Sequence, residues 1–259
     1  MSIKLNGPLN SVLSEWRIWS HLGWRDVRVR YTRTILGPWW SAANLLTLVM
    51  GSSLAVGLLT QEPALAQAPR VALALSFWLF FSSCLIEAVD LFEVEKSLLL
   101  NSQITEASLI ARLVWRNYLV YLHSFTVVIL TFLIAQRTVP IRLLAVPLLA
   151  GVFATGMFFL VYLFAGTVFV LRDLKVILPS AVQLVFFLTP VLWTPPDTGL
   201  AHSLYAINPA GRAIEFLREF VFESAFNLFS FLVLLLMCTF AVLLFALSGQ
   251  SINGIRKQL

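Results

Sequence analysis

Long uncharged stretches separated by short charged connections set the first reading of this chain. A helix needs roughly 20 mostly apolar residues to cross a bilayer. Runs of that kind fall near 35–60, 71–91, 112–136, 143–171, 176–195 and 225–249. An Arg, Lys or Asp at a helix centre costs about 2.5–3.5 kcal/mol on insertion, so the clean gaps between charges are the signal. Strands of a membrane barrel would alternate apolar and polar residues, and these runs do not. Two segments fit no simple span. In Ser11 to Arg33, Val12, Trp16, Trp19, Gly23, Val27 and Tyr31 recur at helical spacing, with Arg17, Arg25 and Arg28 mostly elsewhere. Such a helix lies flat in the interface, and the same arginines also read as a basic flank that sets topology. In 197–223, two apolar pieces too short to cross are split by Asn208-Pro209-Ala210-Gly211. They predict a re-entrant pair on the outer face, or an amphipathic surface loop. The expected fold is all-α and polytopic. It has an amphipathic cytoplasmic helix at 1–33, a six-span domain at 34–255 with re-entrant helices at 197–223, and a cytoplasmic tail at 250–259.

Composition sharpens this. Hydrophobic residues make up 59% and charged residues 12% of the 259, whereas a soluble surface needs about 25% charge to stay wet. A large water-soluble enzyme is excluded. The net charge of +5 gathers in the N-terminal segment beside the first apolar run, which suits anionic headgroups or an anionic lipid better than nucleic acid. All basic residues except Arg70, Arg137, Arg142, Arg212 and Arg218 lie on one set of connections. That bias puts both termini in the cytoplasm. The first 33 residues lack the short basic tip and apolar core of a secretory signal. Phe77, Trp78, Phe80 and Phe81 read as lipid-facing or interfacial bulk.

Familiar site chemistry is missing. No Gly-x-x-x-x-Gly-Lys-Ser/Thr phosphate loop, His-Glu-x-x-His zinc pattern or Gly-x-Ser-x-Gly elbow occurs. His21, His123 and His202 are scattered, and Cys84 and Cys238 sit in apolar runs as small hydrophobes. The span centres lack the acids and bases that ion-coupled carriers commonly use. A protein energised by a partner, or a channel, remains.

Three stretches resemble the ABC-2 type permeases, specifically the O-antigen and capsule-like polysaccharide exporters of lipopolysaccharide assembly. Arg25-Asp26-Val27-Arg28-Val29-Arg30-Tyr31-Thr32-Arg33-Thr34-Ile35-Leu36-Gly37-Pro38-Trp39-Trp40 is similar to that family's N-terminal signature. Val114-Trp115-Arg116-Asn117 followed by His123 resembles its third span. Arg172-Asp173-Leu174-Lys175, Pro179, Thr189-Pro190 and Asn208-Pro209 resemble its fifth-span region. The resemblance implies a homodimer in a bacterial inner membrane, bound to two copies of a separate ATPase that holds ATP and magnesium, with no cofactor in this chain. It implies a cytoplasmic gate helix, a coupling helix between the second and third spans, and a cargo of polysaccharide on undecaprenyl pyrophosphate.

Residue roles follow as expectations. Arg25, Arg28, Arg30 and Arg33 receive the pyrophosphate, because a planar guanidinium matches phosphate oxygens; topology and headgroup binding are the competing account. Trp40, Asn44, Thr47 and Gly51 share one helical face, as do Ser180, Gln183 and Phe187, with Trp193 beside them. These two faces are the proposed conduit lining, with aromatic rings for sugars to slide on. Ordinary helix packing is the alternative. Between the second and third spans, Glu93, Glu95 and Lys96 precede Leu98, Leu99, Leu100 and Asn101, a short helix suited to dock on the ATPase or a solvated loop. A polytopic glycan-processing enzyme is the runner-up, and a passive channel subunit the third reading. The enzyme would need a catalytic cluster near the interface, for which only Asp173 and the acids from Glu87 to Glu95 are available.

Overall fold

The structure is a computed structural model and describes residues 8–101, 104–171, 173–194, 198–199 and 207–223. Among these, all regular structure is helical. We label the helices α1 (Pro8–Ser14), α2 (Trp16–Arg30), α3 (Trp40–Thr60), α4 (Ala64–Ala88), α5 (Leu91–Val94), α6 (Lys96–Asn101), α7 (Glu106–Gln136), α8 (Val146–Val170), α9 (Leu174–Leu188) and α10 (Pro209–Arg218). Short 3-10 turns lead into α3 at Gly37–Trp39 and into α8 at Ile141–Ala145, and a π turn at Glu219–Glu223 follows α10.

Four helices, with their lead-ins, are 24 to 31 residues long and apolar enough to cross a membrane. At 1.5 Å per residue each exceeds the roughly 30 Å hydrocarbon layer. This is the helical architecture of an integral membrane protein. Sequence pattern places the four runs and misses their ends. The second helix starts at Ala64 rather than 71, because Arg70 lies near its end with the guanidinium over the Phe222 ring at 5.3 Å. The third starts at Glu106 rather than 112, where Thr105 caps it by accepting from Ser108 N. Arg112 and Arg116 are tolerated inside it because carboxylates neutralise both.

The fifth apolar run behaves differently. Helix α9 has only 15 residues, about 22 Å by helical rise, so it is too short to cross alone. Pro190 pushes the residue before it out of the helical region, and Thr189 is extended with ψ 134°. Residues 189–193 are tied by hydrogen bonds to α10. Asn208 caps α10, accepting from Ala210 N and Gly211 N, and its amide donates to Thr189 Oγ1 at 2.8 Å. Arg218 Nη2 donates to Val191 O at 2.8 Å. The second half of the expected re-entrant pair is thus a ten-residue helix with most of its residues buried. Residues 200–206, the sixth run at 225–249 and the tail at 250–259 lie outside the described residues.

Helix α4 is the axle. It packs along α3 and α7 and also meets α8, α9 and α10. In its most apolar stretch 78% of residues are buried, against 28% for the α3 span, 44% for α7 and 28% for the α8 span. This corrects the reading of Phe77, Trp78, Phe80 and Phe81 as lipid-facing: they are 2%, 5%, 3% and 7% exposed. A helix surrounded on every side has no lipid face, whatever its composition. In lipid there is no hydrophobic force between helices, so shape fit must hold them together. Phe77 meets Phe153 edge-on at 5.4 Å and Trp78 meets Phe186 at 5.5 Å. Cys84 is a buried free thiol in the same helix.

The α3–α4 hairpin depends on one glycine. Gln61 takes the left-handed conformation (φ 59°) to reverse the chain. A Cβ on Gly57 would stand 2.7 Å from Glu62 O and 3.1 Å from Ala64 Cα. Backbone cannot swing aside as a side chain does. Gly57→Val should therefore lower stability by about 1–3 kcal/mol through overpacking. Gly51→Ala, with nothing within 4 Å of its Cβ, should leave stability unchanged or raise it by up to about 1 kcal/mol. Thermal unfolding of both variants in detergent checks the contrast.

Candidate functional site

Helix α2 is not left floating on the surface. Its Gly23 and Val27 face α7 and are buried. A Cβ on Gly23 would come within 2.8 Å of Trp115 Cδ1 and 3.2 Å of Arg112 O, so only glycine lets the helices approach this closely. Trp115 Nε1 donates to Ser20 O at 3.2 Å, and the Trp19 and Trp115 rings meet edge-on. The opposite side of α2 stays exposed and mixes Arg17, Arg25 and Arg28 with Ile18, Trp24 and Val29.

A chain of ion pairs fixes this arrangement. Arg112 grips Asp26 of α2 in a bidentate fork, at 2.6 Å and 2.9 Å. Its third nitrogen reaches Glu95, between α5 and α6, at 3.0 Å. One turn along α7, Arg116 pairs with Glu87 of α4 at 2.7 Å and lies 3.8 Å from Asp26. Glu87 also takes Arg30 Nη2 at 2.6 Å and Asn117 Nδ2 at 2.6 Å. The short α5–α6 loop, the basic helix and two spanning helices are therefore one electrostatic unit. Burial alone would weaken the Arg30 charge. The hydrogen bond and charge of Glu87 outweigh that and raise its pKa above the ordinary value. A second tether joins Lys175, at the start of α9, to Glu93 at 2.5 Å and Asp90 at 3.2 Å. The bond to Glu93 is the main reason the Lys175 pKa is raised.

The four expected phosphate arginines are divided. Arg25 and Arg28 open onto an outward groove of about 280 Å³ with His21, Trp24, Val29 and Thr32. Among the described residues neither is in an ion pair. Arg33 is exposed and occupies a left-handed turn (φ 72°) between α2 and α3. Arg30 turns the other way, into the bundle.

There it meets two of the expected conduit residues. Arg30 and Tyr31 form one wall of a cavity of about 250 Å³, of mixed polar and apolar lining, with Trp40, Ser41 and Asn44 of α3. Ser76, Phe80 and Ser83 of α4, and Asn117, Tyr121 and Ser124 of α7, complete most of the rest. The remaining conduit residues lie elsewhere. Thr47 is exposed on α3 and donates to Ala43 O. Gln183 and Phe187 are exposed on α9, and Trp193 Nε1 donates to Phe187 O at 3.2 Å. Phe187 is 66% exposed, which removes a buried packing role inside this chain. Both faces flank α4, on which α3 and α9 pack.

In the expected docking loop, Glu93 and Glu95 are ion-paired inside the chain. Leu99 is fully buried against this chain's own core and Leu98 is partly buried. Lys96, Leu100 and Asn101 remain exposed, as does Val94. Ser97 is exposed as well, and Glu93 stays half-exposed despite its ion pair. Sequence reasoning passes over Tyr121 and Ser76, and it names Asp26 and Glu87 without pairing them to Arg112 and Arg116. A signal existed for the arginines: Arg112 and Arg116 stand four apart on one helix face and must find acids there. Nothing local says which acids. Among models of known protein families and among curated proteins, nothing matches this chain.

Proposed function

We propose that this chain is the membrane subunit of an ATP-driven exporter of lipid-linked polysaccharide. It works as a homodimer with two copies of a separate ATPase. The observation that carries the reading is the ion-pair chain from Glu95 through Arg112, Asp26 and Arg116 to Glu87 and Arg30. Such a chain would pass a push on the α5–α6 loop directly to the basic helix at the foot of the bundle. An ATPase seated on Val94, Lys96, Leu100 and Asn101 would supply the push. Arg25 and Arg28 would gather the anionic lipid headgroup, since a guanidinium donates to two phosphate oxygens at once. The exposed polar faces of α3 and α9 would line the path when two copies meet. Both termini would then lie in the cytoplasm of a bacterial cell.

Reconstitution tests this. The chain with a co-encoded ATPase in liposomes should move a lipid-linked glycan only when ATP is present, and the chain alone should hydrolyse none. ATP hydrolysis by the chain alone, or transport without ATP, would end the proposal. Within the same assay, Phe187→Ala should slow export several-fold while the melting temperature in detergent stays within about 2 °C, as expected for an exposed side chain. Normal export by that variant would remove Phe187 from the path.

A further inference from the structure

We infer that the cavity between α2, α3, α4 and α7 is a sugar site that holds one pyranose ring of the exported headgroup. The inference rests on the reading of the cargo as a lipid-linked glycan and goes further, to a place and a chemistry.

Arg30 and Asn117, both bonded to Glu87, line one end of the cavity. Ser76 lies eleven residues from Glu87 along α4, and Ser124 seven residues from Asn117 along α7. By helical rise that is about 10–16 Å into the apolar bundle. Polar groups at such depth face the interior and carry function or bind neighbouring helices. Some here are satisfied within the chain: Ser76 Oγ donates to Leu73 O and Ser41 Oγ to Pro38 O. Tyr121 is not. Its ring is 2% exposed and its buried hydroxyl has no hydrogen-bond partner. Tyr121 borders the cavity, so a small turn of its ring would let the buried hydroxyl find its partner there. A water takes about 30 Å³ of liquid, so 250 Å³ is room for a ring and not for one bridging water.

The lining chooses the ligand. A phosphate would want uncompensated cations. Arg30 is the cationic side chain of this lining, and it is neutralised by Glu87 at 2.6 Å. An acyl tail would want unbroken apolar walls, and here the apolar surface of Leu79, Phe80, Val120 and the aromatic rings is interrupted by Ser41, Asn44, Ser76 and Ser124. What remains is a neutral group rich in hydroxyls. Asn44 offers both a donor and an acceptor, Tyr121 offers a phenol, and the Trp40 ring gives a flat surface for sugar C–H groups. The outward groove at Arg25 and Arg28, free of carboxylates, is left for the phosphate. Charge and hydroxyl recognition are thus separated on the two sides of α2.

The test uses the full chain in lipid nanodiscs and a photoactivatable octyl glucoside. Labelled peptides should contain Asn44, Ser76 or Tyr121. Free octyl glucoside should compete, and a tetraethylene glycol ether with the same tail should not. Tyr121→Phe, which removes one oxygen, should cut labelling at least fivefold; Asn44→Leu, on the exposed side of α3, should do likewise. Both variants should melt with the parent protein. Equal competition by the glycol ether would show a tail site and overturn the inference. So would competition by octyl phosphate, labelling elsewhere, or labelling untouched by both variants, which would leave the cavity to water. These readouts need neither ATP nor transport. The exporter reading can therefore fail while the sugar site stands, and the reverse.

Discussion

Arg112→Leu should cost about 3–5 kcal/mol of stability, the loss expected when one member of a buried charge network is removed. Arg112 and Asp26 have side chains only 10% and 14% exposed, and Glu95 depends on the same guanidinium. Leucine fills some of the space and leaves two carboxylates facing each other with their main partner gone. Thermal unfolding in detergent measures the loss. The cause is separable from lost packing. Adding Asp26→Asn and Glu95→Gln to Arg112→Leu should recover a large part of it, because well-packed neutral replacements of a buried pair are often nearly cost-free. If the triple variant is no better than the single, the network is not what fixes α2. A thiol reagent offers a second view: a cysteine at Ser20 should label faster in Arg112→Leu than in the parent. Lys175→Met is the counterweight. Its acids are 61% and 51% exposed, so that change should cost only about 0.2–1 kcal/mol.

The second large effect is expected at Glu87. One carboxylate serves Arg30, Arg116 and Asn117. Glu87→Ala should cost about 3 kcal/mol, since it leaves the Arg116 guanidinium, 17% exposed, with only the longer 3.8 Å contact to Asp26. Arg30→Gln touches the same cluster from its wet side, at 41% exposure, and should cost under about 1 kcal/mol. The asymmetry is the prediction. Two stability curves of equal midpoint would mean that Glu87 and Arg116 are solvated, and the link between α4 and α2 would lose its basis.

Much of this architecture was legible before any coordinates. Charge-free length announces a spanning helix, and four of the five runs within the described residues are helices long enough to cross. Pro190 also announces the early end of α9, but the apolar letters around it hide the signal. The ends of α4 and α7 were misjudged for a shared reason. Arg70 and Arg112 stand at the starts of the expected runs, yet a paired or terminal arginine sits inside a helix at little cost. The aromatic run from Phe77 to Phe81 was misread because burial of a helix on all sides depends on where its neighbours pack, and composition carries no record of that. At the site, Arg30 is expected at the phosphate and Trp40 and Asn44 along the conduit, and the fold brings the three to one cavity. Tyr121 had no local mark at all: an aromatic in a membrane helix is ordinary until its hydroxyl is found without a partner.

The partners of α2 have a consequence for how the chain is made. Asp26 leaves the ribosome 86 residues before Arg112. At about 5–20 residues per second, that is a wait of roughly 4 to 17 seconds. Throughout it, the acid that will hold α2 in place has no mate, and two later helices must enter the bilayer first. The newly made segment needs somewhere to rest. Its exposed arginines and tryptophan suit the headgroup layer, so the side of α2 that never joins the bundle is the side that parks it until α7 arrives.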